Sequence, residues 1–449
     1  MLKVSGSIWW FCFITFSVYI LYLAMKYLIL FLFIIYITDS YGSIIEKNEY
    51  VIYLPKNYVE SKSYPLVFFC DPHGSGVYPI NLYKDLADSF DYILVGSNIS
   101  KNGVDINICE THIRNTIEEM FANYSIIKDN VSIVGFSGGS YIAYHMAHFS
   151  PYIKNIIISG TPIRPIPIEP YPNILCIAGK ADMNYTDLMA LDNKLKEVNY
   201  PSKYLTIEYN GKHEWPDAST FYDAFIFLNS MYCYACKINR YETTFLKVNQ
   251  EKNYTSEYEK MMNYKKIIFM LDSTGAIDDI KKYYNQNITN KDYIAEKTKR
   301  EEYIYLESKQ KKMYLDKLKN EYDTIYWKNE VIKLNDPTDK NSDELAMSKR
   351  LLGFLSLAGY SFSNRMLTSD KLDLADMMLH FYKIVDPSNP DVAYLSAIYY
   401  IKKNDLTACI YSLKECIKLG YTDIDKLKNE ENFRGIKESE EFINIFSKK

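Results

Sequence analysis

One decapeptide constrains the fold of this chain more than any other stretch. Val131-Ser132-Ile133-Val134 is an apolar, β-branched run that predicts a buried strand. It leads straight into Gly135-Phe136-Ser137-Gly138-Gly139, a Gly-x-Ser-x-Gly turn, and Tyr141–Ala147 then predicts a helix. Strand, tight turn and helix around one serine are the context of a nucleophile elbow. The glycines two positions either side of Ser137 remove side chains that would collide with the strand and the helix. A serine hydroxyl is a weak nucleophile at neutral pH, so the rest of the chain must supply a base and a group to orient it.

The flanking sequence supplies both. Apolar runs predict strands at Tyr50–Tyr58, Tyr64–Cys70, Asp91–Ser97, Asn155–Ser159, Asn173–Gly179 and Ser202–Tyr209, with helices at 105–124 and Ser219–Ser230. Asp182 follows the strand that ends in Gly179. His213 follows the last strand, in Asn210-Gly211-Lys212-His213-Glu214-Trp215-Pro216. Imidazole has a pKa suited to taking the serine proton and returning it to a leaving group. A carboxylate is needed to hold its tautomer and stabilise its charged form. Ser137, Asp182 and His213 each follow a predicted strand, which brings all three to one edge of a sheet.

On these residues the segment 46–235 resembles the α/β-hydrolase family, within it the lidless secreted serine esterases and depolymerases. The order Ser137, Asp182, His213 is the family's order. The resemblance implies an α/β fold, a mostly parallel sheet flanked by helices with no cap domain. It implies Ser137 as nucleophile, Asp182 as acid and His213 as base. It also implies an oxyanion hole made by the backbone N–H of Gly138 and one from the Gly74–Ser75 turn, in the His73-Gly74 loop. His73, Asn98, Asn102 and Trp215 are candidates for lining the site. Glu208 and Asp187 are the next acids to test after Asp182. Five prolines between Thr161 and Pro172 leave no helical period for a lid, and predict an open cleft.

The expected reaction is hydrolysis of a carboxylic ester through an acyl-enzyme, with acylated polysaccharide or polyester as candidate substrates. No cofactor and no metal site are expected, because His145 and His148 lack further ligands at zinc spacing. Two alternatives stay open. One is a peptidase of the prolyl-oligopeptidase type, whose second elbow glycine is Ser140 here. The other is a non-catalytic hydrolase-like protein that binds through its helical half.

Beyond about residue 240 glycine becomes sparse and apolar residues recur at helical spacing. Residues 250–335, with Lys/Glu/Tyr-rich stretches such as Tyr303–Val331, predict extended amphipathic helices. Ala375 and Ala408 stand 33 residues apart, and the helix pair Ala393–Lys402 and Leu406–Leu419 resembles tetratricopeptide repeats, a surface for a protein partner. The expected organisation is a leader or anchor at 1–42, a hydrolase domain at 43–240, a long-helix connector at 241–342 and a tetratricopeptide-like, all-α domain at 343–449.

Residues 8–37 are almost continuously apolar. Met25-Lys26 followed by Tyr27–Ile37 reads as the basic and apolar regions of a signal peptide, with cleavage before Ser43. A membrane anchor over 8–37 is the alternative, and residues 1–24 would then belong to it. A net charge of −4 gives no footprint for nucleic acid. Cys70, Cys109 and Cys176 fall in or beside apolar runs, as small core residues do. Cys233-Tyr234-Ala235-Cys236 is a lone Cys-x-x-Cys with no second pair at zinc spacing.

Overall fold

A computed structural model describes residues 25–27, 42–164, 169–232, 240–272 and 277–446. The leader reading and the Cys233–Cys236 pair lie outside the described residues, apart from Met25–Tyr27. Among the described residues no helix is long and apolar enough to cross a membrane.

The described strands are β1 (Ser43–Glu46), β2 (Tyr50–Leu54), β3 (Tyr64–Cys70), β4 (Ile93–Ser97), β5 (Ile126–Phe136), β6 (Ile153–Ser159), β7 (Asn173–Gly179) and β8 (Tyr204–Tyr209). They form one eight-stranded sheet in the order β1-β2-β4-β3-β5-β6-β7-β8. β2 pairs antiparallel with β1 and β4, and every pair from β4 to β8 is parallel. This is the α/β-hydrolase arrangement.

Strand alternation sorts the core onto two faces. Leu66, Phe68 and Cys70 of β3 point to one, and Val67 and Phe69 to the other. Helices α1 (Val77–Phe90) and α6 (Ala218–Tyr232) cover the Val67 face. Helices α2 (Ile106–Asn123), α3 (Gly138–Phe149), α4 (Tyr185–Met189) and α5 (Leu191–Glu197) cover the opposite face. Parallel strands covered on both sides must be apolar throughout, which is why they read as continuous apolar runs. Burying each large side chain contributes about 1.5–3 kcal/mol. Cys70, Cys109 and Cys176 are free and buried in this core.

The Val67-face core does not stop at residue 240. After α7 (Arg240–Gln250), helix α8 (Glu257–Leu271) lies over α6 and reaches β8. Phe245, Ile267, Met270, Leu271, Ile277 and Ile280 belong to the same apolar cluster as the sheet residues Phe69 and Leu175. Lys266 Nζ binds Asp223 at 2.6 Å across this junction. The composition changes near 240, but the core does not.

The chain continues through α9 (Asp278–Asn287), the 30-residue α10 (Lys291–Asn320), α11 (Thr324–Asn335) and α12 (Ser342–Thr368). Here the stretch Tyr303–Val331 is shared between two helices. Asp323 ends the first by capping the second, its carboxylate accepting from the Ile325 N–H at 2.8 Å. Trp327, Tyr314 and Phe381 build a local core around this corner. Helices α13 (Leu372–Val385), α14 (Pro390–Lys402), α15 (Leu406–Lys418), α16 (Ile424–Asn429) and α17 (Glu440–Phe446) complete the chain. Pro390 at the first turn of α14 follows the Asn389 cap, a placement that costs no hydrogen bond.

Candidate active site

Ser137 sits between β5 and α3 with φ 50° and ψ −125°. A non-glycine residue held there is strained, and the surroundings must enforce it. They do so at close quarters. A Cβ on Gly135 would lie 2.2 Å from the Gly139 carbonyl oxygen, and one on Gly139 would lie 1.9 Å from the Cys70 carbonyl oxygen. Ser140 fastens the turn. Its hydroxyl lies 2.8 Å from the Gly135 carbonyl and 2.7 Å from that of Ser159, and it accepts from the Ser159 N–H at 3.1 Å.

The structure brings Ser137, His213 and Asp182 together. His213 Nε2 is 3.1 Å from Ser137 Oγ, and His213 Nδ1 is 3.1 Å from both Asp182 oxygens. Asp182 is buried, while Ser137 is half-buried at the surface. The Asp182 carboxylate also accepts from the Asn184 N–H at 2.8 Å, and the Asn184 amide donates to the Gly160 carbonyl at 2.6 Å. The acid loop is tied to the histidine loop by N–H bonds from Lys180 to Tyr209 and from Ala181 to Gly211. The Phe136 ring stands 4.9 Å from the His213 ring and limits its rotation.

The expected oxyanion turn is organised differently. Asp71, buried at the end of β3, accepts from the His73 N–H at 2.8 Å and the Ser75 N–H at 3.2 Å. The Gly74 N–H donates to the Asp71 carbonyl at 3.1 Å. Gly74 and Ser75 are therefore already engaged, and neither points a spare donor at the elbow. The N–H of Gly138, at the first position of α3, has no intrahelical acceptor. Beside it stands Asn102, whose Oδ1 would be 1.8 Å, and Nδ2 3.4 Å, from a Cβ on Gly138. Donation from Asn102 toward the elbow requires its Nδ2 to turn there, because the carboxamide oxygen only accepts.

Two of the other expected lining residues are engaged in hydrogen bonds within the protein. Trp215 is buried, donates from Nε1 to Asp71 at 2.8 Å and packs against Phe136 and Phe69. Asn98 accepts from the Gly76 N–H at 3.0 Å and reaches back to the Lys47 and Asn48 carbonyls. Both hold loops together through these bonds. His73 is exposed and lies within electrostatic reach of Asp391 on α14. Burial raises the Asp391 carboxyl above its usual value, against the opposing pull of Lys426 and His73. Glu208 accepts from the Tyr185 hydroxyl, and Asp187 lies 3.7 Å from Lys311, so neither carboxylate competes for His213.

Asp71 and Ser140 are the residues that motif reading passed over. The signal for Asp71 was local: an aspartate followed by proline invites an Asx turn, in which the side chain takes the N–H two residues on. Its third bond, to Trp215 across 144 residues, left no local mark.

No protein-family model matches the sequence, and no curated protein is similar to it in sequence. Among solved structures, the chain is similar to an esterase of Rhizomucor miehei at 13% identity, covering 43% of this chain and 83% of that one, with a TM-score of 0.34. It is similar to the feruloyl esterase module of Clostridium thermocellum at 16% identity, over 42% of this chain and 90% of that one, with a TM-score of 0.35. An S-formylglutathione hydrolase of Staphylococcus aureus shares 14% identity over 41% of this chain and 92% of that one, with a TM-score of 0.32.

Proposed function

We propose that this chain is an exported serine hydrolase that cleaves carboxylic esters through an acyl-enzyme. The observation that carries the reading is His213, hydrogen-bonded at once to Ser137 Oγ and Asp182, with the serine held at φ 50°. His213 Nε2 takes the hydroxyl proton as Ser137 attacks the acyl carbon. Asp182 holds the proton on Nδ1 and stabilises the imidazolium that forms. The same imidazolium then protonates the departing alcohol. A water attacks the acyl-enzyme by the reverse use of His213.

The developing oxyanion is served by the Gly138 N–H and by the Asn102 carboxamide, in place of the Gly74–Ser75 pair. A side-chain amide is a competent donor there, and each such donor is worth about 100–1,000-fold in rate. Acylated polysaccharide or polyester fits a site without a cap. The helical half is then a docking surface for polymer or protein. Export rests on the basic pair Met25-Lys26 and the apolar run that follows.

A fluorophosphonate probe tests the reading on the full chain. Labelling should fall on Ser137 and vanish in Ser137→Ala. Turnover of p-nitrophenyl esters or acetylated xylan, with peptide amides untouched, is the expected specificity. A preference for amides would install the peptidase alternative. A folded protein that neither labels nor turns over esters would leave the binding alternative standing.

A further inference from the structure

We infer that the helical half positions the acid of the site, gripping the loop that carries Asp182 through the buried cluster Glu307, Lys311 and Arg350. The inference rests on the serine-hydrolase reading and names what that reading needs from residues more than a hundred positions downstream.

The cluster is deeply buried, with one Glu307 oxygen hydrogen-bonded and the other held only by an ion pair. Glu307 and Lys311 lie one turn apart on α10, and Arg350 comes from α12. Glu307 is 0% exposed, Lys311 5% and Arg350 6%. Arg350 Nε and Nη2 donate to one Glu307 oxygen at 2.9 and 2.7 Å. Lys311 Nζ stands 3.2 Å from the other. The remaining donors leave the helices and cross to the sheet half. Arg350 Nη1 donates to the Lys180 carbonyl at 2.9 Å. Lys311 Nζ donates to the Met183 carbonyl at 2.6 Å and to Thr186 Oγ1 at 2.8 Å.

The two carbonyls held in this way flank Asp182 on either side. On the loop's other side, the Lys180 and Ala181 N–H groups bind the histidine loop. The acid loop is therefore fixed from both sides, its N–H groups by the sheet half and its carbonyls by the helices. The Arg350 guanidinium also lies 4.7 Å from the centre of the Tyr185 ring, and Gly353 leaves room for Met183.

Buried ions are a poor way to gain stability, because desolvation offsets most of their attraction. They are a good way to fix a geometry, since each donor has one place to go. A displacement of about 1 Å at a reacting group can lower rate about 100-fold. Lys311 and Arg350 act through Asp182, so they are positioning residues.

The test uses the full chain. Arg350→Ala would strand the Glu307 charge and risks unfolding, so Arg350→Lys and Lys311→Met are made first. A third variant, Glu307→Gln with Lys311→Met and Arg350→Met, removes the buried charges together. Hydrogen–deuterium exchange of residues 180–186 reads the loop, while kcat and KM on p-nitrophenyl acetate read the chemistry. The expected result is faster exchange confined to that loop. The same variants should lose about 100-fold in kcat with little change in KM, Arg350→Lys losing less than the triple variant. Unchanged exchange, or a loosened loop with wild-type kcat, would overturn the inference. The two readings fail differently. An unlabelled wild-type Ser137 sinks the hydrolase reading. A labelled wild type with equally fast-labelled variants sinks this one alone.

Discussion

The two halves of the molecule bury polar groups for different purposes. In the sheet half, Asp71 and Asp182 follow the carboxyl ends of strands and Ser140 stands in the first turn of α3, and each fixes a loop or turn by hydrogen bonds. In the helical half, Glu307, Lys311 and Arg350 are as deeply buried, yet they hold backbone that belongs to the other half. The contrast separates reactivity from rigidity. Reactive groups come from short motifs at strand ends, and part of their stiffness comes from helices with no reactive group of their own.

The largest expected effect tests whether the chemistry belongs to the sheet half alone. Ser137→Ala, His213→Ala and Asp182→Asn should each lower kcat about 10,000-fold, and the double variants scarcely further, since the three act as one unit. Near-full activity in Asp182→Asn would move the acid elsewhere and break the comparison at its root. Next comes Asn102→Ala, expected to lower kcat about 100–1,000-fold with KM little changed. A loss of only a few-fold would return the oxyanion to the Gly74–Ser75 turn, after a rearrangement of Asp71.

The third expectation sharpens the border. Leu271→Ala should cost about 3 kcal/mol in urea unfolding, and the loss should appear in the sheet, because Leu271 closes the core of α6. Leu413→Ala, in the separate core of α14 and α15, should cost a similar amount while leaving exchange in β3 and β5 unaltered. If both variants spare the sheet, 43–240 is a domain by itself. The expectation here is that a 43–240 fragment uncovers Phe227, which stacks on Phe269, and aggregates.

The smallest effect lies at the junction. The Thr255 N–H holds the Glu259 carboxyl down to about 2, from 4.5. A depressed carboxylate pKa stabilises the fold fully above about pH 4.5, and that contribution disappears as pH falls toward 2. Glu259 is partly exposed, so solvent screening reduces it to a fraction of about 1 kcal/mol. Acid titration of Glu259→Gln followed by circular dichroism should be flatter over that window.

The strands, their parallel order and the meeting of Ser137, Asp182 and His213 were legible because each left a local mark, an apolar run ending in a marked loop. Asn98 and Trp215 misled for the same reason. Polar or aromatic residues at strand ends resemble lining, and nothing local says that their hydrogen bonds are already taken. The helix break at Asp323 was written in the sequence as an aspartate before threonine. The shared core beyond 240 and the grip of Arg350 on Lys180 were not, because such contacts depend on faces that meet only after both halves have folded.

That grip also orders events in time. A chain grows from its N-terminus, and every reactive group here is synthesised before α10 and α12. Lys180 waits for a partner 170 residues further on, an interval on the order of 10–30 s at roughly 5–20 residues per second. Through that interval the nascent protein carries Ser137, Asp182 and His213 on an acid loop that still lacks its helical contacts. The hold of Arg350 on the Lys180 carbonyl is among the last contacts the acid loop gains.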